Sequence, residues 1–203
     1  MKIICIGRNY ADHAKEMGAE KPTAPVFFLK PDSALLPKKN PFYYPDFTKD
    51  LHYECELVVK ICKLGKNISE RHAHTYYQEI GIGIDFTARD LQSKCKEKGL
   101  PWEIAKGFDG SAPLSERFLN KETLDLDQLD FSLRKNGELV QQGNTKDMLF
   151  SIDQIISYVS QFMTLKIGDL IFTGTPAGVG PVQIGDQLEA AIGAETLFKL
   201  RIK

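Results

Sequence analysis

Two glutamates separated by a single residue, Glu54 and Glu56, and a lone aspartate, Asp85, are the side chains of this sequence best suited to hold a metal ion. The pair lies in Leu51-His52-Tyr53-Glu54-Cys55-Glu56-Leu57-Val58-Val59-Lys60-Ile61, a strand-like run. Alternate side chains of a strand share a face, so the two carboxylates would stand side by side. Like charges so close repel, and a protein that keeps both near a buried sheet surface supplies a cation or lets one carboxylate hold a proton. Hard divalent cations such as Mg²⁺ meet that need, taking carboxylate oxygens while keeping positions for water and substrate. An exposed strand face also carries Glu-x-Glu by chance, so the pair alone decides nothing. Asp85 adds weight, because the run from Glu79 to Phe86 alternates Ile with Gly, as a strand closely approached by other backbone does, and places Asp85 at its end.

Further residues could work beside such a centre. Thr87-Ala88-Arg89-Asp90 reads as a helix start with Thr87 as cap, continuing to Lys98 and stopping at Gly99. Arg89 and Gln92 then fall on one helical face, aimed at the metal or merely solvated. His13 and Glu16 share the same i, i+3 spacing just after the first strand; a carboxylate there can orient the imidazole as a general base, or the two form a plain surface pair. Lys106 has Ala105 and Gly107 as neighbours and would either stabilise an enolate from a half-buried position or sit in solvent. The run from Phe172 to Gly180 follows a strand and is dense in Gly and Thr, including Thr175, so it either brings backbone N–H groups to an anion or makes a tight turn. Lys30, at a strand end before Pro31, either lines a site or is solvated.

At 203 residues the chain is expected to form one domain, 1–203. A net charge of −1, from 26 basic and 27 acidic residues, leaves no basic field for nucleic acid or an anionic membrane, which points to small-molecule partners. Cys5, Cys55, Cys62 and Cys95 lack zinc spacing and suit a reducing compartment. The chain enters a strand at Ile3 with no leader pattern and no run long enough to cross a bilayer, so a soluble, cytoplasmic protein is expected. Short apolar runs punctuated by Gly, Pro and Asn argue for a β-rich α+β fold, with a hairpin at Asn136-Gly137. The helices are few and short: Thr87 to Lys98, a segment near Ser69 to Tyr77, and Ser151 to Val159.

Taken in order, Gly7-Arg8-Asn9-Tyr10-Ala11-Asp12-His13, Phe28-Leu29-Lys30-Pro31, His52 to Leu57, Asp85 to Gln92, Lys96 to Lys106 and Thr173 to Pro181 resemble the short single-domain members of the fumarylacetoacetate hydrolase superfamily across essentially the whole chain. The resemblance implies a mixed β-roll, a homodimer, and Mg²⁺ or Mn²⁺ held by Glu54, Glu56 and Asp85. It assigns His13, Glu16 and Lys106 to catalysis, Arg8, Lys30, Arg89, Gln92 and Thr175 to substrate, and residues 8–20 to a mobile lid. The leading expectation is a metal-dependent hydrolase of acylpyruvates, cleaving a C–C bond, with oxaloacetate decarboxylase activity. An isomerase or tautomerase of 2-oxo or 2-hydroxydiene diacids, including an oxaloacetate tautomerase, is the alternative. A non-catalytic, metal-stabilised binding protein is the remote one.

Overall fold

The computed structural model describes residues 1–16, 21–37 and 40–203. In chain order its elements are β1 (Ile3–Gly7), α1 (Ala11–Glu16), β2 (Val26–Lys30), β3 (Leu51–Tyr53), β4 (Cys55–Ile61), α2 (Glu70–Ala73), β5 (Tyr77–Ile84), β6 (Thr87–Ala88), α3 (Arg89–Lys98), α4 (Glu103–Lys106), β7 (Leu119–Asn120), β8 (Asp130–Lys135), β9 (Glu138–Asn144), α5 (Ile152–Phe162), β10 (Leu170–Phe172), β11 (Gly180–Pro181), β12 (Gln187–Ile192) and β13 (Glu195–Arg201). They form a six-stranded sheet ordered β2-β1-β10-β4-β5-β7, a three-stranded sheet β11-β3-β6 and a four-stranded sheet β13-β12-β8-β9. Among the strand pairs of the described residues, β1/β10 alone is parallel. Mixed sheets with few helices are the α+β architecture expected from the sequence.

The six-stranded sheet carries the site. Its central strand β4 is buried at every position but Lys60, so both of its faces are covered, which its continuous apolar run Leu57-Val58-Val59 requires. In β5 the glycines are there for contact: a Cβ on Gly83 would lie 2.8 Å from the Pro113 carbonyl and 2.9 Å from the Phe172 ring. The expected close approach of backbone to this strand is thus a real packing constraint. The hairpin from β8 to β9 turns at Asn136 and Gly137, both at positive φ (53° and 86°), as its Asn-Gly pair predicts. Helix α5 begins with a reciprocal capping box between Ser151 and Gln154, and its Ile152, Ile155, Ile156 and Val159 face the core.

Three local expectations need correction. The run Leu51 to Ile61 is not one strand but two: β3 and β4 belong to different sheets, and the chain breaks pairing at Glu54. Thr87 does not cap a helix; it is the first residue of β6 and pairs with His52, so α3 starts two residues later at Arg89, and its flanking Ala88 supplies no side-chain cap. Tertiary pairing has overridden a local capping signal. The segment near Ser69 to Tyr77 holds only the short α2 and one 3₁₀ turn over His74–Tyr76, after which Tyr77 opens β5.

Candidate active site

The break at Glu54 is what gathers the three carboxylates. The Glu54 carbonyl, free of its sheet, accepts the Asp85 N–H at 2.8 Å, which fastens the end of β5 to the gap between β3 and β4. Glu56 follows on β4 opposite Gly83. One ligand oxygen from each of Glu54, Glu56 and Asp85 lies within 4.8 Å of the others, and all three residues are buried.

Cations surround the cluster unequally. Lys106, on α4 and buried, donates to Glu54 Oε2 at 2.9 Å and Asp85 Oδ2 at 2.7 Å. Arg89 donates one nitrogen to Glu54 Oε1 and another to Gln92 Oε1, both at 2.6 Å, so the guanidinium and the amide are locked together. Burial works to raise the Glu54 pKa, but Lys106 and Arg89 outweigh it and hold the carboxyl well below its usual range. Glu56 has no such partner. Among the described residues it accepts only the Gly174 N–H, at 2.7 Å, and burial together with the charges of Asp85 and Glu54 pushes its pKa well above normal. Burial would lower the Lys106 pKa, yet Asp85 and Glu54 raise it above its ordinary value, so this lysine is a fixed cation.

The donor set fits a hard divalent metal. All the candidate ligands are carboxylate oxygens. Asp85 Oδ1 is buried in an ion pair with Lys30 Nζ, 2.7 Å away, while the same ammonium also donates to the Phe86 and Ser111 carbonyls and the Ser111 hydroxyl. Three buried carboxylates drawn together, one of them forced toward protonation by its neighbours, are what a bound cation would relieve. Lys30 itself does not line the cavity. It holds Asp85 from behind, neither solvated nor set to touch a substrate.

The cavity wall combines Glu54, Glu56 and Asp85 with Arg8, His13, Arg89, Gln92, Lys106 and Thr175, so the structure brings together every expected site residue except Lys30 and Glu16. His13, on α1, is 6 % exposed and directs Nδ1 to Glu16 Oε2 at 3.2 Å. Glu16 in turn accepts the Gly178 N–H at 3.2 and 3.3 Å, which ties α1 to the glycine-rich loop after β10. Of the lid span 8–20, residues 17–20 lie outside the described residues. The Thr175 hydroxyl is occupied, donating to the Cys55 carbonyl at 2.9 Å and accepting from Gln141 at 2.8 Å.

Sequence reasoning missed several contributors. Gln141 sits on β9, in the neighbouring sheet, and also accepts the Cys55 N–H at 2.9 Å; a glutamine in an amphipathic strand carries no signal of that. Asn9 bonds the Phe150 carbonyl and N–H and the Thr173 carbonyl, fixing the turn between Arg8 and α1. Lys96, Phe28 and Trp102 complete the wall.

Known proteins share this arrangement of chain. The family model described as fumarylacetoacetate (FAA) hydrolase C-terminal matches residues 2–202. The oxaloacetate tautomerase FAHD1, mitochondrial, of Bos taurus is 47% identical over 202 residues, covering 99% of this chain and 91% of that one. Its counterpart from Homo sapiens is 48% identical over 191 residues, with coverages of 94% and 86%. The crystal structure of fumarylpyruvate hydrolase from Pseudomonas aeruginosa in complex with Mn²⁺ and pyruvate superimposes with a TM-score of 0.93 at 38% identity, covering 100% of this chain and 89% of that one. A whole-length family match and relatives almost half identical leave one conclusion: the chain belongs to the fumarylacetoacetate hydrolase family.

Proposed function

We propose that the protein moves a proton at C3 of a 2-oxo acid, acting foremost as a keto–enol tautomerase of oxaloacetate. The observation that carries this reading is the buried Glu54–Glu56–Asp85 cluster with the fixed cation Lys106 against it. The tautomerase names of relatives nearly half identical support it and move tautomerisation ahead of the hydrolysis expected first from the sequence. The three carboxylates would hold Mg²⁺ or Mn²⁺, the latter being the ion in the hydrolase structure, and that ion would polarise the C2 oxygen as a Lewis acid. Lys106 stabilises negative charge on the C2 oxygen as C3 gives up its proton; a lysine bridging two carboxylates cannot serve as the base. With Nδ1 facing Glu16, His13 has Nε2 left to take the C3 proton, and return of that proton from the imidazolium to the C2 oxygen gives the enol and the neutral imidazole again. The Arg89–Gln92 pair and Thr175, on the wall of the same cavity, orient the substrate.

A second reading, acylpyruvate hydrolysis with oxaloacetate decarboxylation, is favoured by the same His13–Glu16 pair. Such a pair can activate water, and the fumarylpyruvate hydrolase shares the fold at 38% identity. The test is product analysis with Mg²⁺ on enol-oxaloacetate, keto-oxaloacetate and acetylpyruvate. The proposal expects fast loss of enol absorbance without CO₂ release. Rapid pyruvate formation from acetylpyruvate with no enol-to-keto conversion would overturn it in favour of hydrolysis. Loss of Lys106 (Lys106→Ala) should slow either reaction by about 10² to 10³, the usual cost of one preorganised electrostatic donor. His13→Ala should cost about 10² to 10⁴ where His13 is the proton carrier and far less for decarboxylation, which needs none.

We further infer a homodimer in a reducing compartment. All four cysteines are free thiols, and Leu36, Pro37, Pro113, Leu114 and Leu200 line a groove beside the edge strand β13 that a second copy would cover. The relatives are named mitochondrial, whereas the sequence suggested the cytoplasm; both are reducing. Among the described residues no helix is long and apolar enough to cross a membrane.

A further inference from the structure

Among the described residues, two of the cations on the cavity wall are paired with no carboxylate. Arg89 and Lys106 are answered by Glu54 and Asp85. Arg8 and Lys96 line the same cavity, yet among the described residues the side chain of neither makes a hydrogen bond or ion pair; Lys96 only rests over the Trp102 ring, 5.5 Å from its centroid. Their placement is specific. Arg8 adopts φ 60°, a left-handed conformation that costs a non-glycine residue energy and persists only where neighbours enforce it. Here Asn9 does so, through its three bonds to Phe150 and Thr173. On α3, Arg89, Gln92 and Lys96 stand at i, i+3 and i+7, one face of the helix. Lys96 therefore lies about 10 Å farther along the axis than the arginine that touches the metal-binding carboxylates. Burial and then the charges of Arg89 and Arg8 depress its pKa, so these cations are near enough to repel one another.

We propose that Arg8 and Lys96 form a clamp for a second, distal carboxylate, and that this clamp makes the site select 2-oxo diacids over 2-oxo monoacids. The inference rests on the 2-oxo acid chemistry proposed above and adds to it the group that reads the far end of the substrate. A monoacid with its 1-carboxylate and 2-oxo group at the metal end would bring no anion to Arg8 and would leave Lys96 resting over the Trp102 ring. A short diacid would bring its remaining carboxylate to them and relieve their repulsion.

The test uses the full chain with Mg²⁺ and two unreactive probes, L-malate and L-lactate, which present the same 2-hydroxy acid head and differ in the distal carboxylate. Calorimetric titration of the unaltered protein should give malate at least about tenfold higher affinity than lactate, the scale of one charge-assisted contact. Lys96→Gln and Arg8→Asn should each remove most of that preference, and Lys96→Arg should keep it. Asparagine is chosen at position 8 because it tolerates the left-handed backbone. Equal affinity for the two probes in the unaltered protein, or a preference that survives both substitutions, overturns the clamp. The kinetic counterpart is the kcat/KM of oxaloacetate tautomerisation set against the rate of C3 deuterium exchange into pyruvate, which Lys96→Gln should lower for oxaloacetate by the larger factor. If the protein prefers malate through Lys96 yet enolises neither acid, the clamp stands and the proposed activity fails.

Discussion

Glu56 is the residue in which function and stability oppose each other most openly. Its two acidic neighbours, Glu54 and Asp85, are held by lysine and arginine, whereas Glu56 is buried against them with a single backbone donor. Its ionised form is therefore costly unless a cation lies against it. Glu56→Gln should abolish metal-dependent turnover, because two remaining carboxylates hold a hard cation too loosely. The same change should raise the melting temperature of metal-free protein at neutral pH by several degrees, as expected when about 1 to 3 kcal/mol of like-charge repulsion is removed from a domain of this size. A metal-free variant that melts lower than the unaltered protein would show that Glu56 is structurally supportive and not strained. Gly174 constrains the same carboxylate from the other side. It donates its N–H to Glu56 at φ 100°, and a Cβ there would meet Asn9 Cβ at 2.6 Å, so no side chain can replace the glycine without moving Glu56.

At the scale of elements, the sequence marked the candidate site residues more clearly than how they are brought together. Glu-x-Glu was legible as a carboxylate pair, and alternation placed both on one face of one strand. The structure reaches the same juxtaposition by a different route, by ending β3 and starting β4 around Glu54. Nothing local marks that break: it exists because Asp85 donates across to the Glu54 carbonyl and because β3 pairs with β6 and β11. Thr87 misled for the same reason, a good capping residue claimed by a strand. The Asn-Gly hairpin and the helix near Ser151 to Val159 were legible because their causes, a turn pair and an apolar repeat, are local.

Asp169 is another long-range fastening. Buried just before β10, it accepts the backbone N–H and ammonium of Lys2 and the backbone N–H of Lys166, and so joins the start of β1 to its parallel partner. Burial alone would raise its pKa, but these donors lower it. A depressed carboxyl contributes stability that is complete above its unfolded value near pH 4 and is lost as pH falls through the folded value. Asp169→Asn should therefore destabilise the protein at pH 7 by about 1.5 to 3 kcal/mol, the range for hydrogen bonds to a charged group. The gap should narrow below pH 4 as the native aspartate is protonated. A pH-independent difference in urea midpoints would mean that shape and not charge matters there.

For the molecule as a whole, the carboxylate cluster lies where the three-stranded and six-stranded sheets meet, since Glu54 stands between β3 of one and β4 of the other, and Asp85 between β5 and β6. A ligand bound there acts on both sheets at once and on the folded state alone, because the unfolded chain separates Asp85 from Glu54 by thirty residues of sequence. Binding to the native state only raises stability by RT ln(1 + [L]/Kd), about 2.7 kcal/mol when free metal is a hundredfold above its Kd. For a chain of this length that corresponds to a rise in melting temperature of roughly 5 to 11 °C. Mg²⁺ and Mn²⁺ should both produce it, and EDTA should reverse it. The shift should vanish in Glu56→Gln, whose metal-free form is expected to be the more stable of the two. Scanning calorimetry on both proteins, with and without metal, separates the cases. If Mg²⁺ shifts Glu56→Gln as far as the unaltered chain, the ion is binding elsewhere and the three carboxylates are not its site.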